Sequence, residues 1–399
     1  MIRSRAIAAL LVTLGTFTDL LAYSVAVPVL PDITGRLGAS PTMIGFLFAS
    51  FGVTLLGVSI PAGALSDRIG RRTPLVAGML ILAASTLLFA FARSLPMLFI
   101  ARLLAGTADA ITWGVGFALV ADLYGPHERG RVIGLVMSGS NLGFMLGPSI
   151  GGWLYESGGP ALPFLLVTGL GLIAAGGFLA LHLPPPGDVR EEVPFRALIR
   201  FPDVAACTIA VIVVSSTLAM LEPVLSLHLS SEVGLNPGRV GMVFGVAAIA
   251  SAVLHPVYGR LADRFGSRRL MLTGMAVASA VMPFLAQAET YRGVLTLFLV
   301  QAGTMSMVVT PSLTYMAEAG ARAGAASFGV AYGLYNFAWG CGLLTGPALG
   351  GVLYDQFGFS RMLVFWPVIV LATAAWFALA GRRPAAEPVA IMNPSEDNS

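Results

Sequence analysis

The sequence predicts an all-α integral membrane protein of twelve transmembrane helices, arranged as two pseudo-symmetric six-helix bundles. Three observations carry that prediction. The chain is 56% hydrophobic and only 11% charged, with a mean hydropathy of +0.84, where a soluble domain carries about 25% charged residues. Apolar stretches long enough to cross about 30 Å of hydrocarbon start near residues 6, 43, 75, 96, 130, 163, 204, 238, 269, 293, 324 and 361. Two sequence patterns also recur, in the same order, half a chain apart.

The first stretch, from about Ala6 to Val29, is too long and lacks the small-residue cleavage site of a removable signal peptide. It holds a single charge, Asp19. An acid at that depth costs roughly 2.5–3.5 kcal/mol on insertion scales, which marks Asp19 as a proton or cation site. The plainer alternative is a hydrogen bond to a neighbouring helix.

Between spans two and three, Gly63 to Arg72 reads G-A-L-S-D-R-I-G-R-R. Gly63 and Gly70 permit a tight turn and close helix approach, while Asp67, Arg68, Arg71 and Arg72 can bind across one mouth of the bundle. Such a charged lock at the cytoplasmic mouth, with Asp122 at the inner end of span four as partner, would stabilise the outward-facing state. The competing reading is that these charges only anchor a short loop.

Span four carries Arg102 and Asp109, seven residues apart. That spacing puts them on nearly one face and about 10 Å apart along the axis, too far for contact. A guanidinium does not readily give up its proton, so Arg102 is expected to act electrostatically on a neighbouring acid. For Asp109 a structural helix–helix hydrogen bond is the alternative. In span five, Gly143, Gly147, Pro148, Gly151 and Gly152 space small residues so that two helix backbones approach closely, and Pro148 bends the span.

A polar, Pro-rich linker at 184–203 separates an N-terminal bundle (1–183) from a C-terminal bundle (204–383), followed by a tail at 384–399 expected to be disordered and cytoplasmic. Span seven brings Glu222 beside Pro223, whose missing donor predicts an irregular helix at that point. A carboxylate beside a break inside a bilayer is a natural proton or cation site; the alternative is an interfacial glutamate closer to water. The repeats then close the case for two halves. Gly259 to Arg269 reads G-R-L-A-D-R-F-G-S-R-R, and G-P-S-I-G-G-W-L-Y-E (Gly147 to Glu156) returns as G-P-A-L-G-G-V-L-Y-D (Gly346 to Asp355), at offsets of 196 and 199 residues. A duplicated bundle of this kind places its substrate near the midplane between the halves. Tyr23, Trp113, Tyr332, Tyr335, Phe337 and Trp339 are candidates to line that space and offer aromatic faces to a cation, although aromatic residues in membrane helices more often pack.

All 23 basic residues are arginines. With the N-terminus inside, 17 fall in cytoplasmic segments and 5 in outer loops, with Arg102 left within a span. The positive-inside rule then puts both termini in the cytoplasm. No basic stretch interleaves with aromatics, so nucleic acid is not an expected partner. Cys207 and Cys341 offer no disulfide framework, and the four histidines lack metal-ligand spacing. Neither a nucleophile constellation nor a phosphate-binding loop can be placed, which argues against an enzyme.

G-A-L-S-D-R-I-G-R-R looks like the signature loop between spans two and three of the major facilitator superfamily, which the chain resembles along nearly its full length. Arg102 in R-L-L-A-G is similar to a motif of that superfamily whose buried arginine takes part in proton coupling. The Gly143–Gly152 segment is similar to the span-five motif of its antiporters. A closer resemblance, to the vesicular amine transporters and their bacterial drug–proton antiporter relatives, rests on T-D-L-L-A-Y-S-V-A-V-P-V-L-P (Thr18 to Pro31), M-L-E-P (Met220 to Pro223) and Phe89 to Gly106 with the following E-R-G-R. It implies that Asp19 engages a substrate amine and that Glu222 serves coupling. The chain departs from that family at Ser306 and Asn336, where acids are usual, and at Phe51, where a lysine is usual. Its first outer loop is short and without glycosylation sequons, which fits a prokaryotic plasma-membrane exporter.

These readings combine into an expected proton-coupled antiporter that exports lipophilic or aromatic cationic compounds. It is expected to be monomeric in the lipid bilayer and driven by a proton gradient without cofactor or metal. Asp19, Glu222, Asp109, Arg102 and Asn336 are the candidate binding and coupling residues. The rivals are a symporter or exporter of a neutral metabolite or sugar, which would show more polar amides along the spans, and a non-transporting membrane sensor.

Overall fold

The computed structural model describes residues 2–181, 199–288, 290–322 and 328–380, without the side chains of 2–4, 126, 127, 129, 130, 321 and 328–332. Most of the expected linker, from 184 to 198, and the whole expected tail lie outside the described residues. Eleven helices are described: α1 (Ile2–Arg36), α2 (Pro41–Ile69), α3 (Arg72–Ala90), α4 (Leu95–Leu123), α5 (Pro126–Gly158), α6 (Leu162–Ala180), α7 (Pro202–Ser231), α8 (Pro237–Phe265), α9 (Ser267–Leu285), α10 (Tyr291–Arg322) and α11 (Phe328–Ala380).

The count differs from the twelve expected because the last two expected spans run together in the 53-residue α11, whose backbone leaves helical geometry at Gly358 (φ 76°, ψ 168°). Ten of the described helices are long and apolar enough to cross a membrane. The exception, α9, opens on Ser267-Arg268-Arg269, which dilutes a 19-residue helix. The chain is a multi-pass membrane protein. Its flanks confirm the solvent it needs: Leu10, Ile60, Trp153, Val253 and Val368 are each more than 60% exposed (68, 69, 66, 67 and 64%), a surface that only lipid would cover.

Local chemistry sets the helix ends. Proline occupies the first turn of α2, α4, α5, α6, α7 and α8, where its missing N–H costs nothing. Ser40 and Asn236 accept from the N–H groups of Met43 and Arg239 at 3.2 and 3.0 Å, capping α2 and α8. The repeated signature loop has a backbone reason for its glycine: Gly70 and Gly266 end α2 and α8 at φ 86° and 88°, where a side chain would be strained. The irregularity expected at Pro223 is not seen, for α7 runs as one helix from Pro202 to Ser231. Bilayer helices carry an interior proline when neighbouring helices cover the freed backbone.

Packing repeats between the two sets of helices. In the first, α1 lies on α5, α2 on α4, and α3 between α4 and α6; in the second, α7 lies on α11 and α10 on α8 and α9. The sets meet where α2 packs on α11, α5 on α8, and α1 on α7. The end of the bundle where α1 starts and α2 finishes is termed the near end, the opposite one the far end. The sets close on each other at the far end. Thr42 donates to Asp355 at 2.6 Å, and the Gly238 N–H donates to Glu156 at 3.0 Å. A Cβ on Gly351 would lie 2.8 Å from the Gly45 Cα, so the helix backbones touch. At the near end Gly57, Gly63, Gly134 and Gly259 face open space.

Candidate functional site

The membrane-buried charges gather along α1, between its contacts with α4 and with α7. Asp19 on α1 is 3% exposed and Asp109 on α4 is 9% exposed. Their carboxyl groups lie within electrostatic reach of each other, and the Trp113 Nε1–H donates to Asp19 Oδ2 at 3.0 Å. Trp113, one turn beyond Asp109, is half-buried and packs edge-on to Phe117 at 5.4 Å. Small residues make the approach of α1 to α4 possible. A Cβ on Gly116 would meet Val12 at 3.1 Å, and one on Gly15 would meet Thr112 at 3.6 Å.

The span-five glycines hold the other side of α1. Gly143 lies against the backbone of Phe17 and Leu21, the residues that flank Asp19, and Gly147 lies against Ser24. Ser24 Oγ also donates to the Gly143 carbonyl at 3.2 Å. Gly151 rests on Val25, while Gly152 faces the other way, onto Pro237 and Gly238 of α8. The motif therefore fixes α1 from behind and joins the halves at the far end. Pro148 sits within the unbroken α5, its carbonyl against Gly241.

Arg102 is 1% exposed. Its guanidinium lies 4.3 Å from the Phe48 ring centroid, 5.2 Å from Tyr23, 5.9 Å from Phe51 and 6.0 Å from Phe89. This cage of π faces stabilises the cation without neutralising it, and Nε and Nη2 have no hydrogen-bond partner among the described residues. Tyr23 links this cation to the second half, since its hydroxyl donates to Glu222 Oε2 at 2.5 Å. Close by, Ser226 Oγ donates to the Val27 carbonyl at 2.8 Å, a second bond between α1 and α7.

The remaining candidates are distributed differently. Tyr335 is buried in the packing of the second half rather than on an open face. There Ser312 donates to its hydroxyl at 3.3 Å, and Trp339 stacks on it at 6.1 Å. Asn336 and Phe337 are exposed. The backbone of Tyr332 lies in α11, but its side chain lies outside the described residues. In the signature loop, Arg71 Nε donates to Asp122 at 2.8 Å and Nη1 to Ser66 at 2.5 Å and to Asp67, while Arg72 reaches the Leu179 carbonyl. Those bonds tie the end of α2 to α4 and the start of α3 to α6 within the first set, whereas the sequence suggests a lock across the mouth. The charges of the signature loop satisfy one another within that set. The second copy behaves alike, with Arg268 donating to the Phe377 and Ala378 carbonyls at 3.0 and 2.9 Å.

Three relationships escape the sequence reading: the Asp19–Asp109 pair, the Trp113 donor, and the Tyr23–Glu222 bond. The i, i+4 spacing of Asp109 and Trp113 is visible in the chain, but contacts across 90 or more residues leave no such trace.

A helical bundle that crosses the membrane many times, with acids buried where its halves meet, is the architecture of a membrane transporter. The profile of the Major Facilitator Superfamily matches residues 12–204 and 207–394, and the chain belongs to that superfamily. It is 30% identical over 363 residues to the human MFS-type transporter SLC18B1, covering 86% of this chain and 78% of the relative. It is 28% identical to the human chromaffin granule amine transporter, covering 86% of this chain and 66% of that protein. A solved bacterial homologue of the human lysosomal transporter Spinster, inward-facing and unoccupied, superposes with a TM-score of 0.82 over 95% of this chain and 97% of its own at 18% identity, which shows the fold. The protein is a transporter and not an enzyme.

Proposed function

We propose that the protein is a proton-coupled antiporter that exports lipophilic, aromatic cationic compounds by alternating access. The observation that carries this reading is the acid cluster: Asp19, Asp109 and Glu222, with a single arginine, lie between helices that are otherwise almost free of charge. Three acids against one cation leave room for protons and for a positively charged cargo. The half-buried Trp113 and Tyr23 present aromatic faces beside the acids, which suits an aromatic ammonium. Similarity to an amine transporter supports the same cargo class.

In this reading residues 1–183 and 204–383 rock about the acid cluster, joined by the 184–203 linker. The near end, rich in arginine, faces the cytoplasm, so this conformation is open inward. Cargo enters from the cytoplasm and pairs with Asp19. Protons arriving from outside neutralise the acids and release it. The signature-loop arginines, which here bind within the first half, would lock the near end in the opposite state. The short α1–α2 connection, residues 37–40, fits the plasma membrane of a prokaryote. Protein and lipid suffice, with the proton gradient as the energy source and a monomer as the working unit.

The test is cation-driven proton movement in proteoliposomes under an imposed pH gradient, comparing wild type with Asp19→Asn and Glu222→Gln. Exchange with aromatic amines that disappears in Asp19→Asn is the expected result. Exchange that survives without Asp19, or none with any cation, would overturn the reading.

A further inference from the structure

The two polar clasps of the far end are copies of one arrangement. Glu156 and Asp355 close the repeated segments Gly147–Glu156 and Gly346–Asp355, 199 residues apart. Their targets are equivalent too: Ser40-Pro41-Thr42 opens α2 as Asn236-Pro237-Gly238 opens α8, 196 residues later. Glu156 of α5 accepts from the Gly238 N–H at 3.0 Å, and Asp355 of α11 accepts from Thr42 Oγ1 at 2.6 Å. Each acid belongs to one half and reaches the second residue of a helix in the other.

Side-chain lengths compensate at the two sites. The longer glutamate meets bare backbone, where a Cβ on Gly238 would stand 2.6 Å from the carboxyl carbon. The shorter aspartate is met partway by a threonine hydroxyl. One turn before each acid a glycine backs the clasp: Gly152 lies against the Pro237 carbonyl and Gly351 against that of Pro41. Acid and glycine therefore seat together on the same helix start, in both copies.

Electrostatics gives the clasps their sign. The first N–H groups of a helix have no partner within it and leave that end partly positive. Ser40 and Asn236 satisfy one such group each, at Met43 and Arg239. Neither Glu156 nor Asp355 forms a salt bridge among the described residues, so each carboxylate is held by the start of the opposite helix.

We propose that Glu156 and Asp355 are positioning residues for transport: a matched pair that holds the far end shut and acts on one equilibrium between far-end-closed and far-end-open molecules. Moving the halves apart at this end removes both partners at once, and the carboxylates pass to water. The clasps govern how the transporter changes state whatever its cargo and coupling ion, and so go beyond the antiporter reading.

Thiol accessibility in purified full-length protein, with Cys207 and Cys341 replaced, tests this. Val27→Cys reports the far end, where that side chain is buried. Gly259→Cys reports the near end: Gly259 has open space beside it and lies about five turns from Gly241, on the α8 face that meets α5. Glu156→Ala and Asp355→Ala are each expected to quicken labelling at position 27 about threefold to tenfold. Combined, the two factors should multiply, because both act on one equilibrium, and labelling at position 259 should slow in the double variant. Glu156→Gln and Asp355→Asn keep an acceptor but lose the charge, so they should shift the far-end rate the same way by less. They take the place of the alanine variants if those do not fold, with thermal unfolding as the control. Unchanged far-end labelling in both single variants would overturn the clasps. So would quickening at both ends together, which marks a loosened bundle rather than a change of state.

Discussion

Tyr23 on α1 donates a 2.5 Å hydrogen bond to Glu222 on α7, joining a tyrosine that packs under Arg102 to an acid of the other half. Removing that hydroxyl in Tyr23→Phe leaves the ring against Phe51, 5.1 Å away, and strips Glu222 of its donor. A carboxyl that loses its partner in such surroundings costs about 1–3 kcal/mol. The variant is expected to unfold at lower temperature and to weaken cargo exchange. Glu222→Gln, which can still accept from Tyr23, should cost less stability while still impairing coupling. Melting curves and exchange rates on both proteins separate the two effects, and equal melting of Tyr23→Phe and wild type would dismiss the bond as a stabilising contact.

Closure at the far end depends on backbone contact. A Cβ on Gly351 would stand 2.6 Å from the Pro41 carbonyl oxygen and 2.8 Å from the Gly45 Cα. Gly351→Ala should therefore force α2 and α11 apart, at an overpacking cost of about 1–3 kcal/mol to the closed form. A cysteine at Val27, 2% exposed here, reports the change after Cys207 and Cys341 are replaced. Its reaction with a membrane-impermeant thiol reagent should quicken in Gly351→Ala, and an unchanged rate would show that the far end does not close on this contact.

Arg71 lies outside the spans and bonds Asp122, Ser66 and Asp67 at once. Burial works against its charge, but the bonds to Asp122 and Asp67 outweigh that cost and hold the guanidinium above its ordinary value. The sign follows directly. A raised folded value stabilises fully below the unfolded arginine's own pKa, which lies well above the physiological range, and the gain is lost only as pH rises through the still higher folded value. The contribution of Arg71 is thus constant between about pH 6 and pH 9. Arg71→Ala is expected to cost about 1–2 kcal/mol, and Asp122→Asn about 0–1 kcal/mol because that acid is largely in solvent. Thermal melts across that pH range test both the size and the flatness; a loss from Arg71→Ala that varies with pH would assign the stabilisation elsewhere.

Much of this protein is legible in one dimension because a bilayer imposes a one-dimensional rule: each span must be long and apolar enough to cross. Hydropathy thus locates the helices, and duplicated motifs such as Gly63–Arg72 and Gly259–Arg269 reveal the repeat. Asp19, Arg102, Asp109 and Glu222 stand out for the same reason, since a charge within an apolar span is costly. The number of separate helices is less legible. Gly358 turns the chain between two spans without a gap long enough to part them.

Partnership was decided only in three dimensions. Arg102 and Asp109 share a helix face, yet one enters a cage of Phe48 and Tyr23 and the other meets Asp19. Gly116 and Gly143 set how near α1 may come to α4 and α5, and that distance brings the two carboxyls together. Tyr335, an aromatic in an apolar span like Tyr23, instead turns inward to Ser312. The sequence by itself thus determined the solvent, the spans and the costly charges, because those follow from the transfer of each residue into lipid. Which charge meets which was left to helix packing, because it depends on the rotation and closeness of helices far apart in the chain.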